Sequence, residues 1–574
     1  MLQILFSWLW IGVSAFLCGF AALQLIKKVS GYGEKSVDVI LMMGLCFLTV
    51  YAQTFSLFYK VGAAASIALF AVDILIFFIW RRRIIHQIVE WVSMPRLLFI
   101  LIPLALVVGM SLILSATEIQ HYDTYLYHAQ SIRWIEDYGI VPGLGNLHNR
   151  LAYNSSIFSL QALFSLKFLL GKSLHSVNGF VVALLAGYTV CTFKAFGKKK
   201  FFASDFMRLT MLIYLFERQN CCMISSPGSD TLALGLVVYI LIKWTEYWEN
   251  GEKRNAPYAV LCLLGVFAVT VKLSAGMIVL LTVLPATRLI AQKSWKQIAA
   301  YIVLGTVIIA PFLTRNVLIS GYLLYPYPEL DLFRVDWKMP KYTLLFDRNE
   351  IKAWGWGLKD VYRSNAPMAE WLPVWLESLG SIMRKMFYIN LALIVPSAAW
   401  GIFKGIAKKD WGFLLIVATV ISCFGLWFVG SPLPRYGSVF LILLPLLMLG
   451  QIVASIQKNR LPNGLVSLVM LVCVLCCLKP LVQYVLTTDF AELRSPDYAW
   501  RDANETLLGD EVIYYPVSGD QMGYYNFPST PYVARLQLIE LRGTELSDGF
   551  RMKDAYRDAL VTTYGQVQEK NIFE

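Results

Sequence analysis

Long apolar runs separated by short polar stretches dominate this sequence and leave it few ways to fold. A helix crossing the hydrocarbon core needs about 17–25 apolar residues. Candidates fall at 2–26, 37–58, 62–80, 97–115, 175–193, 206–218, 230–247, 257–272, 275–292, 298–316, 386–403, 412–429, 437–455 and 463–484. Apolar residues make up 57% of the 574 positions and charged ones 15%, so lipid must be the solvent for most of the surface. The net charge of +12 does not point to nucleic acid, because the basic residues sit in short clusters rather than on a contiguous patch.

Those clusters set a topology. They are Lys27, Lys28 and Lys35; Arg81–Arg83 and Arg96; Lys198–Lys200; Lys253 and Arg254; Lys293 and Lys296; Lys404, Lys408 and Lys409; Lys458 and Arg460. All are cytoplasmic together only if the apolar stretch 156–171 does not cross, so it is expected as an amphipathic helix in the interface. The expectation is an all-α polytopic membrane protein of roughly fourteen transmembrane helices, with both termini outside. Residues 1–96 would be N-terminal spans, 97–484 the transmembrane core, and 485–574 an extracytoplasmic C-terminal domain. The tail carries a strand-like EVIYYPVS and turn chemistry at Gly519-Asp520 and Phe527-Pro528, which suggests a small α/β segment.

Eight of the ten cysteines lie inside apolar runs and read as small hydrophobes, and the adjacent Cys221 and Cys222 have no metal-ligand spacing. The first run lacks a basic leader and a small-residue cleavage site, so it reads as a retained span.

Polar chemistry gathers in the outer regions 116–174, 219–229, 317–385 and 485–574. The first contains TEIQHYDTYLYHAQSIRWIEDYGIVPGLGNLHNRLAYNSS, with three of the five histidines. Aromatic faces between acids and amides suit a carbohydrate groove, since sugars have apolar ring faces and hydroxyl edges. Asp123 is the candidate base. Partial desolvation near the interface is expected to raise its pKa; the alternative is an N-cap for DTYLYHAQSI. His121, Tyr122, His128, Arg133 and Asn154 are the accompanying substrate-binding candidates. Trp337, Trp354, Trp356, Trp371 and Trp375 make the loop 317–385 either an interfacial belt or a lid over the acceptor.

In sequence order, an Asp in the first large outer loop, surface helices and a Pro/Gly turn resemble glycosyltransferases of the GT-C superfamily. Its members include protein O-mannosyltransferases and the aminoarabinose transferases of lipid A. SSPGSDTLALGLVVY, with Asp230 opening a span, is similar to a family loop. TVKLSAG places Lys272 at the outer end of a span. PFLTRNVLISGYLLYP supplies Arg315, Asn316, Gly321 and Pro326, and SPLPRYGSVFLILLPLL supplies Arg435 and Tyr436. The overall look is nearest to uncharacterised bacterial multispan proteins.

The resemblance implies a GT-C-like fold in a bacterial inner membrane, with the active site on the periplasmic face. The donor would be a polyprenyl-phosphate-linked sugar and the acceptor a hydroxyl on a glycan, lipid or protein. A divalent cation stays open, because many of these enzymes carry paired acids where this loop has the single Asp123. On physical grounds, Lys272, Arg315 and Arg435 stand outside against the positive-inside bias and call for an anionic partner, which a lipid phosphate fits. The rival readings are a lipid-linked-glycan flippase or other transporter, and an O-antigen polymerase or ligase. A transporter calls for ionisable groups near the bilayer midplane. The sequence instead shows ionisable residues gathered at span ends, and no internal repeat.

Overall fold

The computed structural model of the chain describes all residues except 94–96, 193–199, 222, 458–462, 488–496 and 569–574. Arg96, Lys198, Lys199, Cys222, Lys458 and Arg460 therefore lie outside the described residues. The chain is predominantly helical, with small antiparallel hairpins at its C-terminal end. Among the described residues, eight helices are long and apolar enough to cross a membrane: Leu2–Ser30, Val37–Ser56, Ala63–Val92, Leu273–Ala291, Trp295–Ser320, Ser381–Lys408, Gly412–Gly430 and Gly464–Thr487. Shorter apolar helices, including Val177–Val190, Asn255–Val271 and Phe440–Ile456, pack between them.

The first two helices touch backbone to backbone. A Cβ on Gly44 would come within 1.8 Å of the Ala15 carbonyl oxygen, and one on Gly19 within 1.9 Å of that of Ile40. Small residues at such a crossing replace the hydrophobic effect with close van der Waals contact. Helix Ala63–Val92 exposes Ile67, Phe70, Leu75, Phe78 and Ile79 on its outer face. Asp73 points the other way and is buried, accepting hydrogen bonds from Ser14 Oγ at 2.5 Å and Cys18 Sγ at 3.8 Å. Ten residues of helix place it about 15 Å from Ala63, roughly half the thickness of a hydrocarbon core of about 30 Å. This carboxyl departs from the expectation that ionisable groups sit only at span ends.

Two other elements differ from their expected form. Leu273–Thr282 is a 3-10 helix that continues as the α-helix Val283–Ala291. The greater 3-10 rise stretches this segment to about 34 Å, where an α-helix of the same length would reach about 28 Å. The stretch 156–171 is not an amphipathic surface helix. Ser156–Leu163 is buried at all eight positions, and left-handed backbone at Leu166 (φ 54°) and Gly171 (φ 71°) brackets a further turn, Lys167–Leu170. Ser156–Leu163 is a buried peg, too short to cross as one helix, and Phe168 and Leu169 in the following turn are exposed. Ser66 Oγ donates to the Leu163 carbonyl at 3.2 Å and ties it to the third helix.

The tail forms three hairpins: Ala503–Leu508 with Glu511–Pro516, Ile539–Leu541 with Phe550–Met552, and Leu560–Val561 with Val567–Gln568. The strand expected in EVIYYPVS is present. No α-helix accompanies it among the described tail residues, so the α/β expectation gives way to hairpins joined by 3-10 turns. Two-residue strands cannot enclose a core alone. The tail completes one with the outer loop: Trp134, Leu147, Tyr322, Ile513, Phe550 and Val561 share a single buried cluster. Gly143 makes the contact possible. Its φ is 67°, and a Cβ there would sit 2.0 Å from the Phe550 carbonyl oxygen.

Candidate active site

Asp123 opens a helical segment whose next turn, Thr124–His128, is π-helical before it continues as Ala129–Asp137. Its side chain makes no capping hydrogen bond, so the N-cap alternative is not realised. It pairs with Arg435 Nη2 at 2.7 Å. The other terminal nitrogen of Arg435 lies 3.1 Å from His121 Nε2, and Nη2 also donates to the Tyr436 hydroxyl at 3.1 Å.

A second ion pair adjoins the first. Asp230 opens the helix Asp230–Glu249, and Lys272 follows the last turn of Asn255–Val271 in extended conformation. Their side chains are hydrogen-bonded to each other. Lys272 Nζ lies 3.6 Å from the centre of the Tyr436 ring, over which Arg435 also stands at 4.9 Å. Asp123, His121, Asp230, Lys272, Arg435 and Tyr436 are thus one cluster, although His121 and Arg435 are 314 residues apart.

The surrounding chain explains the placement. Arg435 and Tyr436 occupy the short helix Pro434–Gly437, where proline at the first position presets the backbone. Trp375 Nε1 donates to the Pro432 carbonyl at 2.7 Å, and Trp427 Nε1 to that of Leu433 at 2.9 Å. Trp356 stacks on Trp371 with centroids 4.8 Å apart. Most of the loop tryptophans are therefore neither belt nor lid: Trp356, Trp371 and Trp375 are buried and Trp354 is exposed. Across the cluster, Thr124 Oγ1 and Ser226 Oγ are 2.5 Å apart, while Asn178 Nδ2 holds the Ser226 and Gly228 carbonyls at 2.6 and 2.8 Å.

Electrostatics reverse one expectation. Burial pushes the Asp123 carboxyl up, but the adjacent Arg435 guanidinium, foremost among its neighbours, outweighs it and holds Asp123 below the usual range. Desolvation does act on the histidines: it lowers His121 and pushes His128 down to about 3. Both rings are therefore neutral at physiological pH, which suits the contact of His121 Nε2 with a guanidinium. They stack with centroids 5.5 Å apart and planes within 4°.

The other sequence candidates stand elsewhere. Arg315 is buried and donates to Asn154 Oδ1 at 2.9 Å, Ser56 Oγ at 2.5 Å and, at 3.4 Å, the Gly139 carbonyl. Asn154 Nδ2 reaches Asn316 Oδ1 at 3.2 Å, and Asn316 Nδ2 donates to the Leu323 carbonyl at 3.0 Å. These three brace the outer loop against the helices. Arg133 pairs with Asp137 at 3.2 Å and donates to the Tyr524 and Tyr525 carbonyls at 2.7 and 2.8 Å, which makes it a docking residue for the tail. Tyr122, half exposed, hydrogen-bonds the Asp520 carboxylate in the tail.

Two buried networks beside the outer loop were not singled out from sequence. Arg150 pairs with Asp347 at 3.0 Å and Glu350 at 2.9 Å, and the only signal was the i, i+3 acid spacing on helix Lys341–Gly355. Glu136 accepts from His175 Nε2 at 3.0 Å, Ser173 Oγ at 2.9 Å and Tyr524 Oη at 2.5 Å. His175 lies in a stretch with no motif to mark it.

Among the described residues, no group of three or more His, Cys, Asp or Glu side chains is placed to hold a metal ion. Asp123 and Asp230 each face a cation of the chain, an arrangement that does not fit a divalent cation held between them. No curated protein and no solved structure matches the chain. The family described as a domain of unknown function (DUF8201) matches residues 1–442, a span that includes every member of the cluster, and the chain belongs to that family.

Proposed function

We propose that the protein is a GT-C-like glycosyltransferase of roughly fourteen spans. It would move a sugar from a polyprenyl-phosphate carrier to an acceptor hydroxyl at the extracytoplasmic face of a bacterial inner membrane. One observation carries this reading: four polar landmarks from separate outer segments, Asp123, Asp230, Lys272 and Arg435, meet around the Tyr436 ring.

In the proposed reaction Asp123 takes the proton of the acceptor hydroxyl. The oxygen attacks the anomeric carbon from the face opposite the phosphate, the carbon–oxygen bond to phosphate breaks, and the configuration inverts. Polyprenyl phosphate leaves with the bonding electrons, and Lys272 and Arg435 meet the charge that develops on it. Neutral His121 and His128 offer hydrogen bonds without competing for the proton. Arg315, Asn154, Asn316 and Arg133 have structural roles in this scheme.

The test is transfer from a lipid-linked sugar by the purified chain in nanodiscs. Asp123→Asn is expected to lower the rate by about 10²–10⁴-fold, the range for removing a general base, in a protein that still unfolds cooperatively on heating. A well-folded Asp123→Asn protein that still transfers sugar at the wild-type rate would overturn the assignment. The transporter reading keeps one supporting observation, the buried Asp73 ten residues into the span-length helix Ala63–Val92. It requires Asp73→Asn to stop lipid-linked glycan movement while the outer cluster is untouched.

A further inference from the structure

Both cations of the cluster already have carboxylate partners within the chain. Arg435 engages Asp123 at 2.7 Å, His121 at 3.1 Å and the Tyr436 hydroxyl at 3.1 Å, while Lys272 engages Asp230. The four charges cancel. A phosphate arriving there would meet two carboxylates as well as two cations, and like charges at such range are strongly unfavourable. It can bind well only by taking a cation away from a carboxylate.

We propose that an anionic phosphate ligand exchanges with Asp123 for Arg435, so that the base is latched in the absence of ligand and released by the ligand it serves. This rests on the transferase reading above and adds to it an order of events. Asp123 is the carboxylate suited to exchange. Among the described residues its side chain has no hydrogen-bond or ion-pair partner other than Arg435, and it does not cap its own helix. Arg435 is suited to the new partner, because its planar fork matches phosphate oxygens. It stays in place through its contacts with His121 and Tyr436, which need not move.

The exchange also prepares the base. Asp123 is faced by His121, Tyr122, Tyr127 and His128 from its own segment, by Arg435 from Pro434–Gly437, by Arg150, and beyond them by the Asp230–Lys272 pair. Of these, Arg435 does most to offset its burial. With that guanidinium turned to phosphate, burial dominates and a nearby anion is added, so the carboxylate gains affinity for a proton. Arg435 thus acts twice in this scheme: it holds the base idle until a donor is present, and then binds the donor's phosphate.

The prediction has a sign that a simple binding role would not give. The full chain in nanodiscs is titrated with a polyprenyl monophosphate as probe. Asp123→Asn removes the competing carboxylate and is expected to bind the probe about tenfold tighter than wild type, as for loss of one charge-assisted contact. Arg435→Lys is expected to bind it at least tenfold weaker. A second measurement needs no variant: modification of Asp123 by a water-soluble carbodiimide, read by mass spectrometry, should rise as the wild-type protein is saturated. Equal or weaker binding by Asp123→Asn, or modification that stays flat or falls on saturation, overturns the exchange. Absence of probe binding by the wild type overturns the transferase reading itself, so the two failures are distinguishable.

Discussion

Lys272 and Arg435 both stand over the Tyr436 ring, at 3.6 and 4.9 Å. The ring face attracts each cation, and such contacts contribute about 0.5–2 kcal/mol depending on desolvation. Tyr436→Leu keeps the bulk and removes the ring. It is expected to lower transfer by about tenfold, from the loss of roughly 1.4 kcal/mol of this attraction, with little change in melting temperature. Tyr436→Phe keeps the ring and loses only the hydrogen bond to Arg435, so it should fall between leucine and wild type in the same assay. At this scale the sequence was informative about residue types and poor about partners. Asp123, Asp230, Lys272 and Arg435 could be marked because each is a charge at the edge of an apolar run. Their pairing could not, since it depends on how distant helices pack. Arg315 carries the same local signature as Arg435 yet is buried among Asn154, Ser56 and a backbone carbonyl.

The helices show the same division between pattern and packing. Apolar run length picked out all eight span-length helices among the described residues, because solvation by lipid leaves a regular mark on composition, and with them six further runs whose helices are shorter or less apolar. It did not reveal that Leu273–Thr282 is wound as a 3-10 helix, or that Ser156–Leu163 is a buried peg, because apolar content alone does not encode helix pitch or depth. The contact between the first two helices is a sharper test of packing. Gly44→Val would drive its side chain into the Ala15 carbonyl, 1.8 Å from the position of a Cβ. Overpacking of this kind costs about 1–3 kcal/mol, and more where backbone has to move. The expected result is a clear drop in melting temperature in detergent. A substitution at Gly62, where nothing lies within 4 Å of an added Cβ, should show no such packing penalty.

Across the whole molecule, the tail and the first outer loop behave as one folded body. Their shared core and the Glu136–His175–Tyr524 network join segments that stand 388 residues apart. Burial pushes Glu136 up, but the hydrogen bond and charge of His175, with Tyr524 and Lys167, overcome it and leave Glu136 below the usual glutamate value. A lowered folded-state value means that this stabilisation is complete above about pH 4.3, the unfolded glutamate value, and fades as pH falls through the lower folded one. Docking of the tail is therefore expected to persist through neutral and mildly acid conditions and to loosen only at strongly acid pH, read as hydrogen exchange at residues 498–526. Glu136→Ala, which removes the shared acceptor of His175, Ser173 and Tyr524, should cost about 1–3 kcal/mol and make the tail more accessible to protease at neutral pH. The sequence signalled the strand at 511–516 and the turn at Gly519 through local chemistry. It did not show that these hairpins complete their core on a loop near the other end of the chain.

That long-range docking has a consequence for how the protein is made. Chains emerge N-terminus first, so Tyr122 is synthesised 398 residues before the Asp520 it hydrogen-bonds. The aromatic and acidic groups of residues 116–174 must wait, without their apolar covering, through the insertion of every later helix. During that interval the nascent protein exposes Trp134 and Leu147, a surface on which a membrane-associated chaperone or a protease would act. A ribosome stalled before the hairpins at 503–568 have emerged would leave the outer loop without the partner strands of its core.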